Sequence, residues 1–234
     1  MRGHSSSAAL VTGGSSGIGA ACAARLAAYG HRVAVVDLSP TTAPAVALSL
    51  TADVSDGPAL ADAVGRAEAE LGAIDYLVTA AGYYRAAAIA EPDEAEWRRM
   101  LEVHVGGTAN AWRALVPRMR ARGRGAICAI GSELGIIGDP SATHYAAAKG
   151  AIHAMSKSLA AELAPEGIRV NCVAPGPTDT PLLGDDPNTA GYADALPLGR
   201  LIQPDEIAAA VAFVLLEDTN MVGQVVSPNG GAAP

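Results

Sequence analysis

The sequence has no excess of positive charge, no long apolar run and no set of paired cysteines, and each absence removes a class of function. Against 16 lysines and arginines stand 24 aspartates and glutamates, a formal net charge of −8 with a pI near 5.0. That balance argues against nucleic acid or an anionic membrane as the main partner. The densest basic stretch, RMRARGR at 118–124, reads as the solvated end of a helix. The longest apolar run, IAAAVAFVLL at 207–216, is too short to span a bilayer. Near the N-terminus AALV passes at once into TGG, without the apolar stretch of a secretory leader. Three cysteines, Cys22, Cys128 and Cys172, lie far apart among apolar neighbours. They read as buried thiols of a reducing compartment, and no metal-ligand spacing accompanies them. A soluble cytoplasmic protein without a metal is expected.

What is present is the composition of a globular chain: 234 residues, 50% hydrophobic and 17% charged, enough to bury a substantial core. No repeat or linker interrupts it, so residues 1–234 read as one domain. Short β-rich runs (8–12, 32–37, 47–52, 74–79, 125–131, 168–173 and 223–227) alternate with helical stretches at about 17–29, 56–71, 93–121, 141–164 and 204–217. The strands are continuous apolar runs, the pattern of strands covered on both faces. Pro58 and Pro204 stand where the first turn of a helix tolerates proline. Strand–helix–strand repetition implies parallel pairing with right-handed crossovers, hence an α/β fold: a doubly wound, Rossmann-type parallel sheet of seven strands. The connection after Asp37 carries Pro40 and Pro44 and leaves little room for a helix. The stretch 174–203 has no clear period and reads as a lid or binding loop, with a substrate loop at about 177–203.

The glycine-rich turn VTGGSSGIGA places Gly13, Gly17 and Gly19 between the first strand and the first helix. Glycine allows the sharp turn and lets a pyrophosphate approach the backbone, while the helix start offers free N–H groups and the positive end of its dipole. A dinucleotide site is expected there, with Ser15, Ser16 and Ile18 as neighbours. Asp37 ends the second strand eighteen residues after Gly19, where a carboxylate can hold the adenosine ribose hydroxyls. The same carboxylate repels a 2′-phosphate, and Ser15, Ser16 and Leu38 offer no compensating charge, so NAD is expected over NADP. Asp53 and Val54, past the third strand, could reach the adenine.

Tyr145 and Lys149 stand four residues apart near the start of a helix and project side by side. A free phenol titrates near ~10, and a neighbouring ammonium together with a cationic nicotinamide would pull it down. Ser132, at the end of the fifth strand, could donate to a carbonyl oxygen as charge develops on it.

Taken with TGGSSGIG (12–19), DV (53–54), AAG (80–82), YAAAK (145–149) and NCVAPGPTDT (171–180), these features resemble the commonest branch of the short-chain dehydrogenases/reductases. The late GQVVSPNGG (223–231) completes the set, and the resemblance covers essentially the whole chain. The resemblance implies Tyr145 as general acid/base, Ser132 as the group orienting the substrate oxygen, and Lys149 as binder of the nicotinamide ribose. It also implies Ala80, Ala81 and Gly82 beside the cofactor. Pro175, Gly176 and Thr178 would lie at the carboxamide face, with Thr180 nearby. A homo-oligomer, tetramer or dimer, is implied as well. Two positions depart from the family. Thr79-Ala80-Ala81-Gly82 replaces the usual Asn-Asn-Ala-Gly, and His104 in LEVHVGG takes the place of a catalytic asparagine, Asn110 coming six residues too late. His104 either serves the same proton relay or merely packs.

Tyr83, Tyr84 and Arg85 follow the fourth strand and could bind a ring and a carboxylate, while Glu133 and His144 flank the serine and the tyrosine. A small polar or cyclic alcohol fits the short loop better than a long acyl chain. The leading expectation is therefore an NAD-dependent dehydrogenase/reductase of secondary alcohols and ketones. The rivals are an NADPH-dependent reductase of acyl-carrier-protein-linked ketones and a dinucleotide-sensing protein with little turnover.

Overall fold

A computed structural model describes residues 7–184, 191–216 and 219–232. Glu217, the expected end of the last helix, and residues 185–190 of the expected loop lie outside the described residues. Seven strands form one sheet: β1 (Ala8–Thr12), β2 (Arg32–Asp37), β3 (Leu48–Thr51), β4 (Ile74–Thr79), β5 (Gly125–Ile130), β6 (Ile168–Val173) and β7 (Val225–Val226). Their order is β3-β2-β1-β4-β5-β6-β7. Every pairing is parallel. The chain thus runs outward from β1 to β3, returns to β4 beside β1 and proceeds the other way. That reversal opens a crevice at the C-terminal ends of β1 and β4, the place where open α/β sheets bind ligands.

The helices are α1 (Gly17–Ala28), α2 (Gly57–Leu71), α3 (Glu94–Leu101), α4 (Gly107–Arg122), α5 (Leu134–Ile137), α6 (Thr143–Leu163), α7 (Tyr192–Ala195) and α8 (Pro204–Leu216). The apolar runs of the strands are buried on both faces, as their lack of alternation requires. One core joins the sheet to α2, α4 and α6 through Leu60, Leu115 and Ile152. The other joins it to α1 and α8 through Leu26 and Val211. Leu10, at the centre of β1, is fully buried in the first core. Leu10→Ala is expected to destabilise the fold by about 3 kcal/mol, read as a shift of the urea midpoint at unchanged slope.

Local signals account for the boundaries. Asp56 caps α2 by accepting from the Ala59 N–H at 3.0 Å, and Asp93 caps α3 through the Glu96 N–H at 2.8 Å. The basic run is laid against acids: Arg118 and Arg122 bond to Glu68, Arg120 to Glu162 and Glu166, and Arg124 to Asp75. No helix forms between β2 and β3, where Pro40 and Pro44 stand. The stretch expected as one helix over 93–121 differs. Between α3 and α4 the backbone widens into a π-helical turn, Glu102–Gly106. His104 lies at its middle. Such turns concentrate at functional sites because they re-aim one side chain of a helix. The long-range cause here is visible: His104 packs into the space left by Gly82, where a Cβ would overlap the imidazole.

Candidate active site

A cleft of about 550 Å³ lies at the C-terminal ends of the strands. Its inner end is made by the glycine-rich turn. Gly13 has φ +69°, and a Cβ there would lie 2.5 Å from the Ala81 Cα. A Cβ on Gly19 would collide with the Gly13 carbonyl oxygen. These two positions therefore require glycine, and the close approach keeps the floor of the cleft free of side chains. Ser16 precedes α1 in extended conformation, and its side chain does not cap the helix. The N–H groups at the start of α1 are left for a ligand. Gly13, Ser16, Gly17, Ile18 and Gly19 border the cleft. Ser15 does not; its N–H donates to Asp37 Oδ2 at 3.0 Å and its hydroxyl to the Ser39 carbonyl at 2.7 Å.

Asp37 and Leu38 border the cleft at the end of β2, as do Asp53 and Val54 after β3. Arg99, which sequence reasoning missed, closes this end by bonding to Asp53 Oδ2 at 2.8 Å and to the Ser55 hydroxyl at 2.7 Å. Burial opposes the charge on Asp53, yet the Ser55 and Arg99 bonds outweigh it and hold the carboxyl at about 2. Arg99 lies in an amphipathic helix forty-six residues away in sequence, and no local signal marks it. Asn110 supports the same loop, donating to the Val54 carbonyl at 3.0 Å. On the far wall Ala80, Ala81, Gly82, Pro175, Gly176, Thr178 and Thr180 border the cleft. A glycine cradle, a free helix start and a carboxylate at the second strand's end suit a nicotinamide dinucleotide.

Ser132, Tyr145, Lys149 and His104 meet at the other end of the cleft, all nearly inaccessible to solvent. Ser132 stands two residues beyond β5, and its Oγ accepts from the Leu134 N–H at 3.2 Å, leaving the hydroxyl proton for donation. Lys149 donates to the Ile130 carbonyl at 2.9 Å and holds its ammonium 5.5 Å from the centre of the Tyr145 ring. Burial brings the lysine down to about 8. The phenol of Tyr145 departs from expectation. Burial pushes it above its ordinary value, only partly offset by a hydrogen bond with Ser132, and Tyr84 and Glu133 push the same way. Desolvation dominates the balance.

His104 meets the ring of Tyr145 edge-on at 5.4 Å, and its Nε2 lies 2.8 Å from the Tyr83 carbonyl and 3.2 Å from the Tyr83 N–H. Its Nδ1 is buried with no partner among the described residues. Burial, with Lys149 adding to it, lowers this imidazole to about 3, so it is neutral at physiological pH.

The four expected substrate residues divide. Tyr84 borders the cleft and packs edge-on against Tyr145 at 5.0 Å. Glu133 borders it too. Arg85 does not border the cleft, and its guanidinium pairs with Glu96. His144 is turned away as well: it is buried, packs on Trp97 at 5.8 Å and does not border the cleft.

Glu133 has a titration consequence. Burial raises its carboxyl from the ordinary 4.5 to about 7. Between those values the folded protein holds a proton that the unfolded chain has released, so stability falls as pH rises through that window. Glu133→Gln removes this loss. The variant is expected to match wild type near pH ~4 and to exceed it above pH ~7 by on the order of 1–3 kcal/mol. Urea titrations at the two pH values check this, and a difference independent of pH would contradict it.

The model of the family described as short chain dehydrogenase matches residues 7–190. Cis-4-hydroxycyclohexanecarboxylate dehydrogenase of Sinomonas cyclohexanicum is 39% identical over 236 residues, covering 95% of this chain and 95% of that one. The 3-oxoacyl-[acyl-carrier-protein] reductase FabG of Chlamydia muridarum is 38% identical, covering 97% of each chain. The crystal structure of levodione reductase superposes with a TM-score of 0.90 at 30% identity, again over 97% of each chain. Among the described residues no helix is long and apolar enough to cross a membrane.

Proposed function

The chain belongs to the short-chain dehydrogenase family of oxidoreductases, and from that premise we propose that it interconverts a secondary alcohol and a ketone with NAD. The observation that carries this reading is the convergence of Ser132, Tyr145 and Lys149 at one end of a cleft whose other end is the glycine cradle and Asp37. The glycine turn and the start of α1 hold the pyrophosphate, Asp37 the adenosine ribose, and Lys149 the nicotinamide ribose. The bound nicotinamide supplies the hydride acceptor, or the donor in the reverse direction. Ser132 donates a hydrogen bond to the substrate oxygen and fixes it beside Tyr145. In oxidation, Tyr145 as phenolate takes the hydroxyl proton while the C–H electron pair leaves as hydride; in reduction the neutral phenol returns that proton. Lys149, its ammonium 5.5 Å from the centre of the Tyr145 ring, favours the phenolate. His104, neutral and edge-on to Tyr145, takes the family's asparagine place as a positioning residue, fixing the Tyr83 backbone rather than carrying charge.

A homo-oligomer belongs to this proposal by family resemblance, and a cytoplasmic setting by the three buried, unpaired cysteines. Purified protein, incubated with NAD and a panel of small secondary alcohols, is expected to generate NADH absorbance. A panel without turnover in either direction, with either dinucleotide, would leave the dinucleotide-sensing reading in its place. The acyl-carrier-protein-linked alternative finds its support in FabG of Chlamydia muridarum. Asp37 opposes the NADPH that this alternative uses.

A further inference from the structure

One group at the reacting end of the cleft has no counterpart. Glu133 follows Ser132 directly and is 5% exposed, yet it borders the cleft. Its backbone is fixed, with the N–H donating to the Pro175 carbonyl at 2.9 Å and the carbonyl accepting from the Ile136 N–H at 2.7 Å. The carboxyl packs against the backbone of the far wall: Oε2 lies over Gly176, where a Cβ would come within 2.9 Å of it. That oxygen is buried and has no hydrogen-bond partner among the described residues. Burying a carboxyl without a partner costs several kcal/mol on ordinary scales, so a group buried there unpaired points to a ligand that satisfies it.

The cations nearby already have partners. Lys149 donates to the Ile130 carbonyl, Arg99 to Asp53 and Ser55, and Arg85 to Glu96. Among the described residues, the reacting end of the cleft therefore has an unpaired acid and no free guanidinium for a second anion. A substrate carboxylate or phosphate placed here would face Glu133 without compensation. A hydroxyl suits the site in either protonation state, since it donates to a carboxylate and accepts from a carboxylic acid.

We propose that Glu133 is a specificity-determining residue that binds a second hydroxyl of the substrate, making this protein selective for diols or polyols over mono-alcohols and over hydroxy acids. The proposal rests on the alcohol–ketone reading above. Its occupant is an uncharged hydroxyl close to the reacting carbinol, within reach of the side chain next to Ser132.

Three matched compounds test it: cyclohexanol, cyclohexane-1,2-diol and 4-hydroxycyclohexanecarboxylate, each with wild type, Glu133→Leu and Glu133→Gln. Wild type is expected to show kcat/KM for the diol about 30-fold above cyclohexanol, the size of a hydrogen bond to a charged group, and the hydroxy acid below both. Glu133→Leu brings the diol-to-cyclohexanol ratio to within about threefold of one and raises the hydroxy acid relative to the diol. Glu133→Gln, which still bonds a hydroxyl, keeps part of the diol preference. In parallel, the affinity of each compound for the protein loaded with reduced dinucleotide is read from the bound dinucleotide's fluorescence. Turnover of all three without a diol preference overturns the assignment of Glu133 while leaving the oxidoreductase reading standing. Absence of turnover, with tighter diol binding that Glu133→Leu removes, overturns the oxidoreductase reading and keeps Glu133 as the hydroxyl site. Equal binding of diol and cyclohexanol by wild type overturns the proposal whatever the turnover.

Discussion

Tyr145→Phe is expected to lower kcat by at least about a thousandfold while leaving the affinity for NADH within about twofold of wild type. The size follows from what is removed. A positioned acid–base group contributes roughly 10²–10⁴. Ser132 is a poor substitute, because an aliphatic hydroxyl is far less acidic than a phenol. The phenyl ring keeps the packing that Tyr145 makes edge-on with Tyr84 at 5.0 Å and His104 at 5.4 Å, so the fold and the cleft survive the substitution. The separation of effects is the informative part. Stopped-flow hydride transfer and NADH fluorescence titration measure the two quantities independently. A variant that retains a tenth of the wild-type rate would remove Tyr145 from the proton step, and one that also loses NADH would make it a cofactor ligand instead.

The fold was legible because its determinants are local. Continuous apolar runs such as AALVT and IRVNCV announce strands buried on both faces, and the proline at 58 or 204 marks a helix start. The turn between β1 and α1 was legible in part for the same reason: Gly19 is required by a clash with Gly13 six residues earlier, whereas the clash that requires Gly13 is with Ala81, far along the chain. What escaped reading depends on distant partners. The π-helical turn at Glu102–Gly106 exists because His104 must reach the space beside Gly82 and the backbone of Tyr83, twenty-one residues away. The local pattern of α3 and α4 contains no trace of that contact.

Charge was harder still. Arg85 reads first as a surface residue and second as a carboxylate binder beside the catalytic end, and the first reading fits: its half-exposed guanidinium pairs with a glutamate eleven residues later on α3. His144 adjoins Tyr145 in sequence, yet neighbours on a helix point about 100° apart, so the helix that aims one at the cleft turns the other onto Trp97. The tyrosine and lysine were placed together correctly by their spacing, but spacing cannot give burial. In the folded protein desolvation moves Tyr145 up and Lys149 down, and both shifts disfavour the charged forms that the chemistry uses.

The second large effect concerns the choice of dinucleotide. Asp37 is expected to give wild type a kcat/KM with NADH at least about 100-fold above that with NADPH, and Asp37→Ser combined with Leu38→Arg is expected to reverse the preference. The carboxylate is held in place rather than free to swing away: Oδ2 accepts from the Ser15 N–H at 3.0 Å and Oδ1 from the Ser39 N–H at 3.1 Å. A fixed negative charge facing a 2′-phosphate at roughly 4 Å costs about 4 kcal/mol per unit charge at the effective dielectric of a protein surface, before screening. Even a strongly screened remainder of about 3 kcal/mol exceeds a hundredfold in affinity. Leu38 is 63% exposed and borders the cleft, so an arginine there reaches a phosphate without disturbing the core. Because Asp37 also steadies the Ser15 N–H, its loss weakens both dinucleotides together, and the ratio of the two kcat/KM values isolates the charge. A wild-type ratio near one, or a ratio that the double substitution leaves unchanged, would show that Asp37 serves the turn alone and that the cofactor is chosen elsewhere in the cleft.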